Sequence, residues 1–333
     1  MAELVKGLSG ICNMGNTCYI NSALQCLSNT EQLTKFFLEQ KFRDTINLNR
    51  KESKICEEYY RLLNGLWEDN CIIQPISFKR VLGKLDSRFN DNQQHDAQEF
   101  LFALLDFLHT SLSYEVNIYH KGVAKNDIDK KMIESIDIWS KHFNKEYSVI
   151  LDLFYGQFYS RLICKKCNHI SNNFDPFSMV SLQVLQHNTN IYECFDEFIK
   201  YEELDFDNKW KCEKCLQLTN AIKDIHIWKA PNILIIVLKR FDFGVNYSSK
   251  ITNVIDFPLE NLNLEKYVSG YDKNNAIYDA FGIIYHHGSM DFGHYTTACK
   301  NNGKWYLYDD DSVSEYSEIN KLNAYVLFYR KRN

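Results

Sequence analysis

Two short runs near opposite ends of the chain constrain how it can fold. Cys18 lies in the run GICNMGNTCYINSALQCL, and His294 lies in the run DFGHYTTACKNNGKWYLYDDDS. A thiol and an imidazole act together as nucleophile and base only when a hydrogen bond can join them. The two runs therefore predict one folding unit that brings the early and late parts of the chain together.

The composition is that of an ordinary folded protein. Of the 333 residues, 45% are hydrophobic and 24% are charged, while 13 Gly and 4 Pro leave little material for flexible linkers. The net charge of -5 disfavours sequence-independent nucleic-acid binding. The start, MAELVKGLSG, lacks the apolar segment of a signal peptide, and no apolar run is long enough for a bilayer. Eleven cysteines without secretory features indicate a reducing compartment, so we expect an intracellular protein, cytoplasmic or nuclear or both.

The order of the hydrophobic patterns predicts an α+β fold. Apolar residues recur at helical spacing over residues 19–27 and again over 100–108. From about residue 150 the pattern becomes strand-like and continues in short strands to residue 329. Helices followed by strands favour a largely antiparallel sheet. The charged, partly unpatterned segment 113–145 is predicted to be a surface insertion.

Cys18 falls in the first turn of a predicted helix. Unpaired backbone N–H groups there favour the thiolate, with Asn16 and Thr17 as capping candidates and Gly15 allowing a tight turn. Asn13 carries an amide that can donate to a developing oxyanion. The alternative interpretation of any single cysteine is a small buried side chain. That interpretation is assigned here to Cys12, Cys26, Cys56, Cys71, Cys194 and Cys299.

His294 opens a predicted strand, and the next strand ends in three carboxylates. A hairpin between these strands would place Asp309 beside the imidazole, where it can accept a hydrogen bond from Nδ1 and orient the ring. Asp310 and Asp311 are the alternatives, and Asp310 is also a candidate for polarising a water at the oxyanion site. An exposed acidic turn and a surface histidine are the non-catalytic interpretation.

Four other cysteines form two CxxC motifs. Cys164 and Cys167 make the first, Cys212 and Cys215 make the second, and 44 residues separate the pairs. Four thiolates on two such turns match a closed, tetrahedral structural Zn²⁺ site. Redox-active thiols are the alternative, but a redox motif usually needs one pair. A nucleic-acid-binding zinc ribbon is disfavoured because the chain is acidic.

The run around Cys18 looks like the cysteine box of the ubiquitin-specific proteases, and the run around His294 resembles their histidine box. Three further stretches are similar to that family: residues 91–108, residues 154–167 with 174–184, and residues 238–259. The resemblance extends from about Leu8 to Tyr329. It implies a papain-like cysteine protease with a helical thumb, an antiparallel β palm and zinc-bearing β fingers.

The resemblance also implies a domain division and the roles of individual residues. Residues 1–333 would form a single catalytic domain, with the thumb at about 8–150, the fingers at about 155–245 with palm strands interleaved, and the palm at about 246–333. The residues that match the family's catalytic pattern are Cys18, His294, Asp309 and Asn13, followed by Asp310. The candidates for contact with the C-terminal tail of ubiquitin are Gln94, Asp96, Gln98, Phe241, His286 and Tyr295. Local rules alone make Asp96 a helix cap, and Phe241 is equally compatible with the core.

The sequence therefore predicts a thiol-dependent deubiquitinase. It would hydrolyse the bond after the C-terminal glycine of ubiquitin through an acyl-enzyme thioester, with zinc as a purely structural ion. We expect a monomer that acts on ubiquitin and ubiquitinated proteins, without nucleic-acid or membrane partners. The alternatives are a hydrolase for another ubiquitin-like modifier and a catalytically silent ubiquitin-binding module. A transglutaminase-type acyl transferase also uses Cys, His and Asp, but the flanking runs do not look like that family.

Overall fold

A computed structural model describes residues 5–119, 121–243, 248–289 and 292–332. The helices in this part of the chain are α1 (Cys18–Ser28), α2 (Glu31–Leu38), α3 (Ser53–Glu68), α4 (Ile76–Leu85), α5 (Ala97–Leu112), α6 (Asp127–His142), α7 (Val149–Phe154) and α8 (Ile191–Ile199). The helices predicted at 19–27 and 100–108 are confirmed as α1 and α5. None of the helices in these ranges is both long and apolar enough to cross a bilayer.

The strands lie mostly in the second half of the chain. They are β1 (Gly10–Ile11), β2 (Ile72–Ile73), β3 (Tyr114–Glu115), β4 (Glu146–Tyr147), β5 (Gly156–Cys164), β6 (Ile170–Phe177), β7 (Val180–Gln183), β8 (Thr189–Asn190), β9 (Glu202–Leu204), β10 (Trp210–Cys212), β11 (Gln217–Thr219), β12 (Ala221–Lys229), β13 (Ile233–Lys239), β14 (Phe241–Phe243), β15 (Ser248–Lys250), β16 (Ile255–Asp256), β17 (Leu262–Asn263), β18 (Ile277–Gly288), β19 (Gly293–Asn301), β20 (Lys304–Asp309), β21 (Ser312–Glu315) and β22 (Ala324–Lys331). The predicted α+β class is confirmed.

An eight-stranded sheet forms the centre of the molecule. Its strand order is β21-β20-β19-β18-β22-β13-β7, with β17 added beside β18. Every pairing in this sheet is antiparallel except that of β7 with β13. This sheet corresponds to the predicted palm.

Both faces of this sheet are covered, which explains the unbroken apolar run of β13. Ile233, Ile235 and Val237 join the core shared with the helices, while Leu234 and Ile236 join a second core on the other face. A strand buried on both sides needs apolar residues at consecutive positions. The helix α1 packs against β18 and β19 in the first of these cores, so the thiol-bearing helix lies directly on the strand that begins near His294.

A second, four-stranded sheet of order β6-β5-β12-β9 carries the first of the two CxxC motifs. The hairpin β10–β11 forms a separate two-stranded ribbon next to it in sequence. Cys164 ends β5 and Cys212 ends β10. This region corresponds to the predicted fingers, although the residue limits of the three subdomains remain a prediction.

The described residues of segment 113–145 contain more regular secondary structure than its composition indicated. The strands β3 and β4 pair as a short ribbon, and α6 lies between them in sequence and packs against β6. Asn126 caps α6 by accepting from the N–H of Asp129 at 2.8 Å, and acidic residues occupy its first turn. These end signals predict a helix, although its apolar face is interrupted by charges.

Candidate active site

Cys18 is the first residue of α1, and only 3% of it is exposed. Thr17 is the N-cap residue, but its Oγ1 accepts from the N–H of Met14 at 2.9 Å and does not cap the helix. Asn16 adopts a φ of 53°, and its Nδ2 donates to the carbonyl of Asn92 at 2.7 Å. The predicted capping by Asn16 or Thr17 is wrong, because both side chains hold the turn before the helix. No side chain of the described residues therefore caps the first turn beside the thiol.

One carboxylate aligns two asparagines at the start of α1. Asp310 accepts from Nδ2 of Asn13 and from Nδ2 of Asn21, each at 2.8 Å. Asn13 Oδ1 accepts from the N–H groups of Gly15 at 3.0 Å and Thr17 at 3.2 Å. These bonds fix the Asn13 amide and leave one Nδ2 hydrogen for another acceptor. Asn21 was not predicted, although a buried amide in an apolar helix is the signal that marks it.

His294 lies near the start of β19 and bridges the two halves of the site. Its Nε2 lies 2.6 Å from Oδ1 of Asp309, and Cys18 lies close enough to the ring to act on its pKa. The interaction with Cys18, opposed by partial burial and aided by Asp309, raises the pKa of His294 to about 9. The imidazole is therefore charged at neutral pH.

The ring nitrogen that meets the acid differs from the prediction. Asp309 bonds Nε2 of His294, so the predicted bond to Nδ1 is wrong and Nδ1 is the nitrogen left for Cys18. The physical reason is the rotation of the His294 ring, which the spacing of the two strands does not fix. The structure also separates the acidic candidates: Asp309 bonds the imidazole, Asp310 bonds the asparagines, and Asp311 is exposed.

Gln94 holds the backbone just before His294. Its Nε2 donates to the carbonyl of Gly293 at 2.8 Å, and its Oε1 accepts from the N–H of the same glycine at 3.1 Å. The predicted tail contact thus has both ends of its amide bonded within the chain. Asp96 is a cap, as local rules predicted: it accepts from the N–H of Gln98 at 2.6 Å and from the Tyr325 hydroxyl at 2.5 Å.

The Asp96 carboxyl lies largely out of contact with solvent. Burial raises its pKa, although its hydrogen bonds act in the opposite direction. The side chain of Gln98 remains partly exposed. Tyr325, which holds Asp96 from β22, was not predicted. Asp96 therefore acts as an internal link between α5 and the sheet.

An aromatic cluster lies behind the imidazole. Tyr295 and His286 are 5% and 2% exposed, with ring centroids 4.6 Å apart, and Phe241 packs on His286 at 5.1 Å while remaining partly exposed. Burial lowers the pKa of His286 to about 4, aided by the Lys250 charge. Neighbouring strand residues point to opposite faces, so Tyr295 enters the core while His294 faces the cleft. His286 and Tyr295, both predicted as candidates for contact with the ubiquitin tail, are therefore buried in this structure.

The four motif cysteines converge at the end of the smaller sheet. The sulfur atoms lie within 4.8 Å of one another, with Cys164 3.9 Å from Cys215 and Cys167 3.7 Å from Cys212. A tetrahedron with Zn–S bonds of about 2.3 Å has sulfur–sulfur edges of about 3.8 Å. The residue after each second cysteine has a positive φ, 57° at one turn and 55° at the other. Two similar turns and this spacing fit the predicted zinc site.

Comparison with protein families explains the convergence of these motifs. Residues 9–329 match the family described as ubiquitin carboxyl-terminal hydrolase. The chain belongs to this family. Its match to the ubiquitin carboxyl-terminal hydrolase family leaves only short stretches at either end outside the aligned region.

Individual relatives agree with that assignment. The chain is 35% identical over 338 residues to ubiquitin carboxyl-terminal hydrolase 2 of Bos taurus, covering 98% of this chain and 56% of the relative. It is 31% identical over 352 residues to ubiquitin carboxyl-terminal hydrolase 21 of Homo sapiens, covering 98% and 62%. The chain therefore spans little more than half the length of these relatives.

Solved structures share the fold. The SAGA Ubp8/Sgf11/Sus1/Sgf73 DUB module bound to ubiquitin aldehyde contains a chain with a TM-score of 0.78 and 28% identity, covering 100% of this chain and 71% of that one. The SAGA DUB module bound to monoubiquitin gives a TM-score of 0.77 and 27% identity, with coverage of 98% and 70%. The predicted protease fold is confirmed.

Proposed function

We propose that this chain is a cysteine-type deubiquitinase that hydrolyses the peptide or isopeptide bond after the C-terminal glycine of ubiquitin. The observation that carries the proposal is that the His294 ring is bonded to the Asp309 carboxylate and lies close enough to the Cys18 thiol to interact with it. Membership of the ubiquitin carboxyl-terminal hydrolase family supports ubiquitin as the modifier.

The reaction would begin from the thiolate of Cys18 beside the protonated ring of His294. The sulfur attacks the glycine carbonyl, and the carbonyl π electrons move to oxygen to form a tetrahedral oxyanion. When this intermediate collapses, the C–N bond breaks and His294 gives its proton to the departing lysine amine. The neutral ring then takes a proton from water, whose oxygen attacks the thioester. Collapse of the second intermediate releases the ubiquitin carboxylate and regenerates the thiolate.

The oxyanion would be held by Asn13 and by the first backbone N–H groups of α1. Asn13 has one Nδ2 hydrogen left after its bond to Asp310, and α1 has no side-chain cap among the described residues to compete with the substrate. We assign to Asp310 the role of positioning Asn13, and not the alternative role of polarising a water at the oxyanion site. We assign Asp309 the orientation of His294 and the stabilisation of its positive charge.

The ubiquitin tail would reach Cys18 between α1 and the β18–β19 hairpin. Gln98 and Phe241 remain proposed tail contacts because both side chains are partly exposed. We assign Gln94, Asp96, His286 and Tyr295 to the support of this cleft because their polar atoms are bonded internally or their rings are buried. We also propose an intracellular monomer, with ubiquitin and ubiquitinated proteins as its partners.

The zinc ion would be structural. Cys164, Cys167, Cys212 and Cys215 would hold it and thereby join β5 to the β10–β11 ribbon. Metal analysis of the purified protein should find one zinc per chain, and Cys212→Ser should lose it. Zinc retained in Cys212→Ser would place the metal elsewhere.

The test of the whole proposal is reaction with ubiquitin that carries a thiol-trapping electrophile at its C-terminus. Wild type should form an adduct at Cys18, and Cys18→Ala should form none. If folded, zinc-loaded wild type gives no adduct, probes built on other ubiquitin-like modifiers come next. A chain that binds ubiquitin but reacts with none of these probes would be a silent ubiquitin-binding module.

A further inference from the structure

The hairpin that carries His294 extends beyond both of its neighbouring strands. On one side, the pairing of β18 with β22 ends at Tyr285 opposite Ala324. On the other side, the pairing of β19 with β20 ends at Thr297 opposite Tyr308. The paired residues beyond these points, from His286 with Tyr295 to Gly288 with Gly293, have only each other as strand partners within the described chain. Their outward backbone groups therefore need other hydrogen-bond partners.

Gln94 supplies the missing partner on the β19 side. Both the N–H and the C=O of Gly293 bond to the Gln94 amide, at 3.1 and 2.8 Å. The two groups of one strand residue point to the same side, so the glutamine amide occupies the place of a neighbouring strand. Gln94 lies two residues before Asp96, which is itself bonded to β22 through the Tyr325 hydroxyl at 2.5 Å. The Gln94 contact with Gly293 is therefore anchored on α5 and the central sheet.

Lys250 supplies the partner on the β18 side. Its Nζ donates to the carbonyl of His286 at 2.6 Å and to the carbonyl of Gly288 at 3.0 Å. The N–H of His286 is taken by the carbonyl of Asn323, just before β22 begins. The lysine thus supplies hydrogen-bond donors to the part of β18 that extends beyond its pairing with β22. It holds Gly288, whose strand partner Gly293 is held by Gln94.

We infer that Gln94 and Lys250 are positioning residues that clamp the two open edges of the β18–β19 hairpin and so keep His294 aligned with Cys18. Gly293 is the residue immediately before His294, so a shift of its backbone moves the imidazole directly. Neither clamp residue touches the reacting atoms. The inference rests on the proposed function for its effect on turnover, but not for its effect on the pairing of thiol and imidazole.

The test compares Gln94→Ala, Lys250→Met and the double variant with wild type. Gln93→Ala is the matched control, because it removes the exposed neighbouring glutamine. Lys250→Arg is the conservative variant, since it restores a cationic donor. Two readouts are used: the pH profile of Cys18 alkylation by iodoacetamide, followed by peptide mass spectrometry, and the separate kcat and KM for a ubiquitin C-terminal amide substrate.

Each clamp variant should lower kcat by about 10- to 100-fold, because small displacements of a catalytic group have effects of this size. KM should change much less, and alkylation of Cys18 at neutral pH should slow because the thiolate loses its imidazolium partner. The double variant should lose less than the product of the two single losses, because both residues hold one hairpin. Gln93→Ala should match wild type, and Lys250→Arg should recover most of the Lys250→Met loss.

Two results would overturn the inference. A rise in KM alone for Gln94→Ala, with normal alkylation, would make Gln94 a contact for the ubiquitin tail. Normal kcat, KM and alkylation in folded single variants would show that the hairpin holds its register without them. Alkylation needs no ubiquitin, so it tests the clamp separately from the proposed function. If wild type fails to hydrolyse the substrate but the clamp variants still slow Cys18 alkylation, the proposed function is refuted and the clamp is supported.

Discussion

Cys18 begins a helix whose eleven residues are all buried, whereas His294 follows closely on Phe292, which is 85% exposed. The proposed nucleophile is held by packing, since α1 lies on β18 and β19 inside the main core. The proposed base is held by a hairpin end and by a few hydrogen bonds from distant parts of the chain. Burial therefore fixes one partner, and polar contacts fix the other. Damage to the core should reduce stability, while damage around the hairpin should reduce the rate.

The largest effect on kcat is expected at the start of α1, where the substrate carbonyl would bind. Asn13→Ala removes the proposed oxyanion donor and should lower kcat by about 10²- to 10³-fold, the usual effect of losing one such donor. Steady-state kinetics with a ubiquitin C-terminal amide substrate measures this. Asn16→Ala is the control, because it also removes an amide from the turn before α1, but one that bonds the Asn92 carbonyl. An Asn13→Ala loss smaller than that of Asn16→Ala would exclude Asn13 from the oxyanion site.

The next effect should come from the hairpin itself. A Cβ on Gly293 would lie 2.0 Å from Nε2 of the buried His286, so Gly293→Ala forces the ring or the strand to move. We expect kcat to fall by about 10- to 100-fold. Gly122→Ala is the control for backbone strain without a clash, because its φ of 104° disfavours alanine while no described atom lies within 4 Å of the added Cβ. Equal activity in Gly293→Ala and wild type would show that the hairpin tolerates this displacement.

Asp309→Asn should change the pH dependence of activity, because Asp309 acts on His294 on the hairpin side of the site. The bond and charge of Asp309 both help raise the pKa of His294 to about 9. The imidazolium persists below that pH and is lost above it, so activity should fall on the alkaline side near pH 9. Asn lacks the charge, so this alkaline limb should move to lower pH, with kcat at neutral pH reduced by about 10-fold. Asp311→Asn, at an exposed position, is the control. An unmoved limb would mean that Asp309 does not act on the ring.

The smallest effect on rate is expected from the core of the helix side. Leu24 is fully buried, so Leu24→Ala should lower the free energy of unfolding by about 2–5 kcal/mol. Denaturant unfolding measures that loss, and kcat at a temperature where the variant is folded should stay near wild type. Leu48→Ala is the control, since Leu48 is 72% exposed. A large loss of kcat without a loss of stability would contradict the division between packing and polar contacts.

The same division explains what the sequence predicts well. Residues in α1, α5 and the long strands follow apolar periodicity, because a buried face must be apolar wherever the chain lies. The two CxxC pairs predict their convergence because their spacing already defines the metal-binding turns. Asp309 could be paired with His294 because a short hairpin joins their strands, and the register that pairs Thr297 with Tyr308 leaves Asp309 diagonal to His294.

What the sequence does not predict depends on contacts between distant side chains. The bond of Asp309 to Nε2 depends on the rotation of a ring, which no spacing encodes. Gln94 and Lys250 are common surface residue types, and only the ends of β20 and β22 give them backbone groups to hold. The inward position of Tyr295 follows from strand alternation with His294 and was predictable. Cys71, assigned to packing, is exposed because its short neighbouring strand β2 lies at the surface.

The contact of α1 with β19 also has a consequence for the timing of activity during synthesis. A ribosome adds about 5–20 residues per second, so Cys18 is made tens of seconds before His294. Until β19 is available, the nascent thiol has neither its base nor the strand that buries its helix. β18 gains its sheet neighbour β22 later still. The nascent chain therefore carries an unactivated cysteine, and its chemistry begins only when the palm is nearly complete.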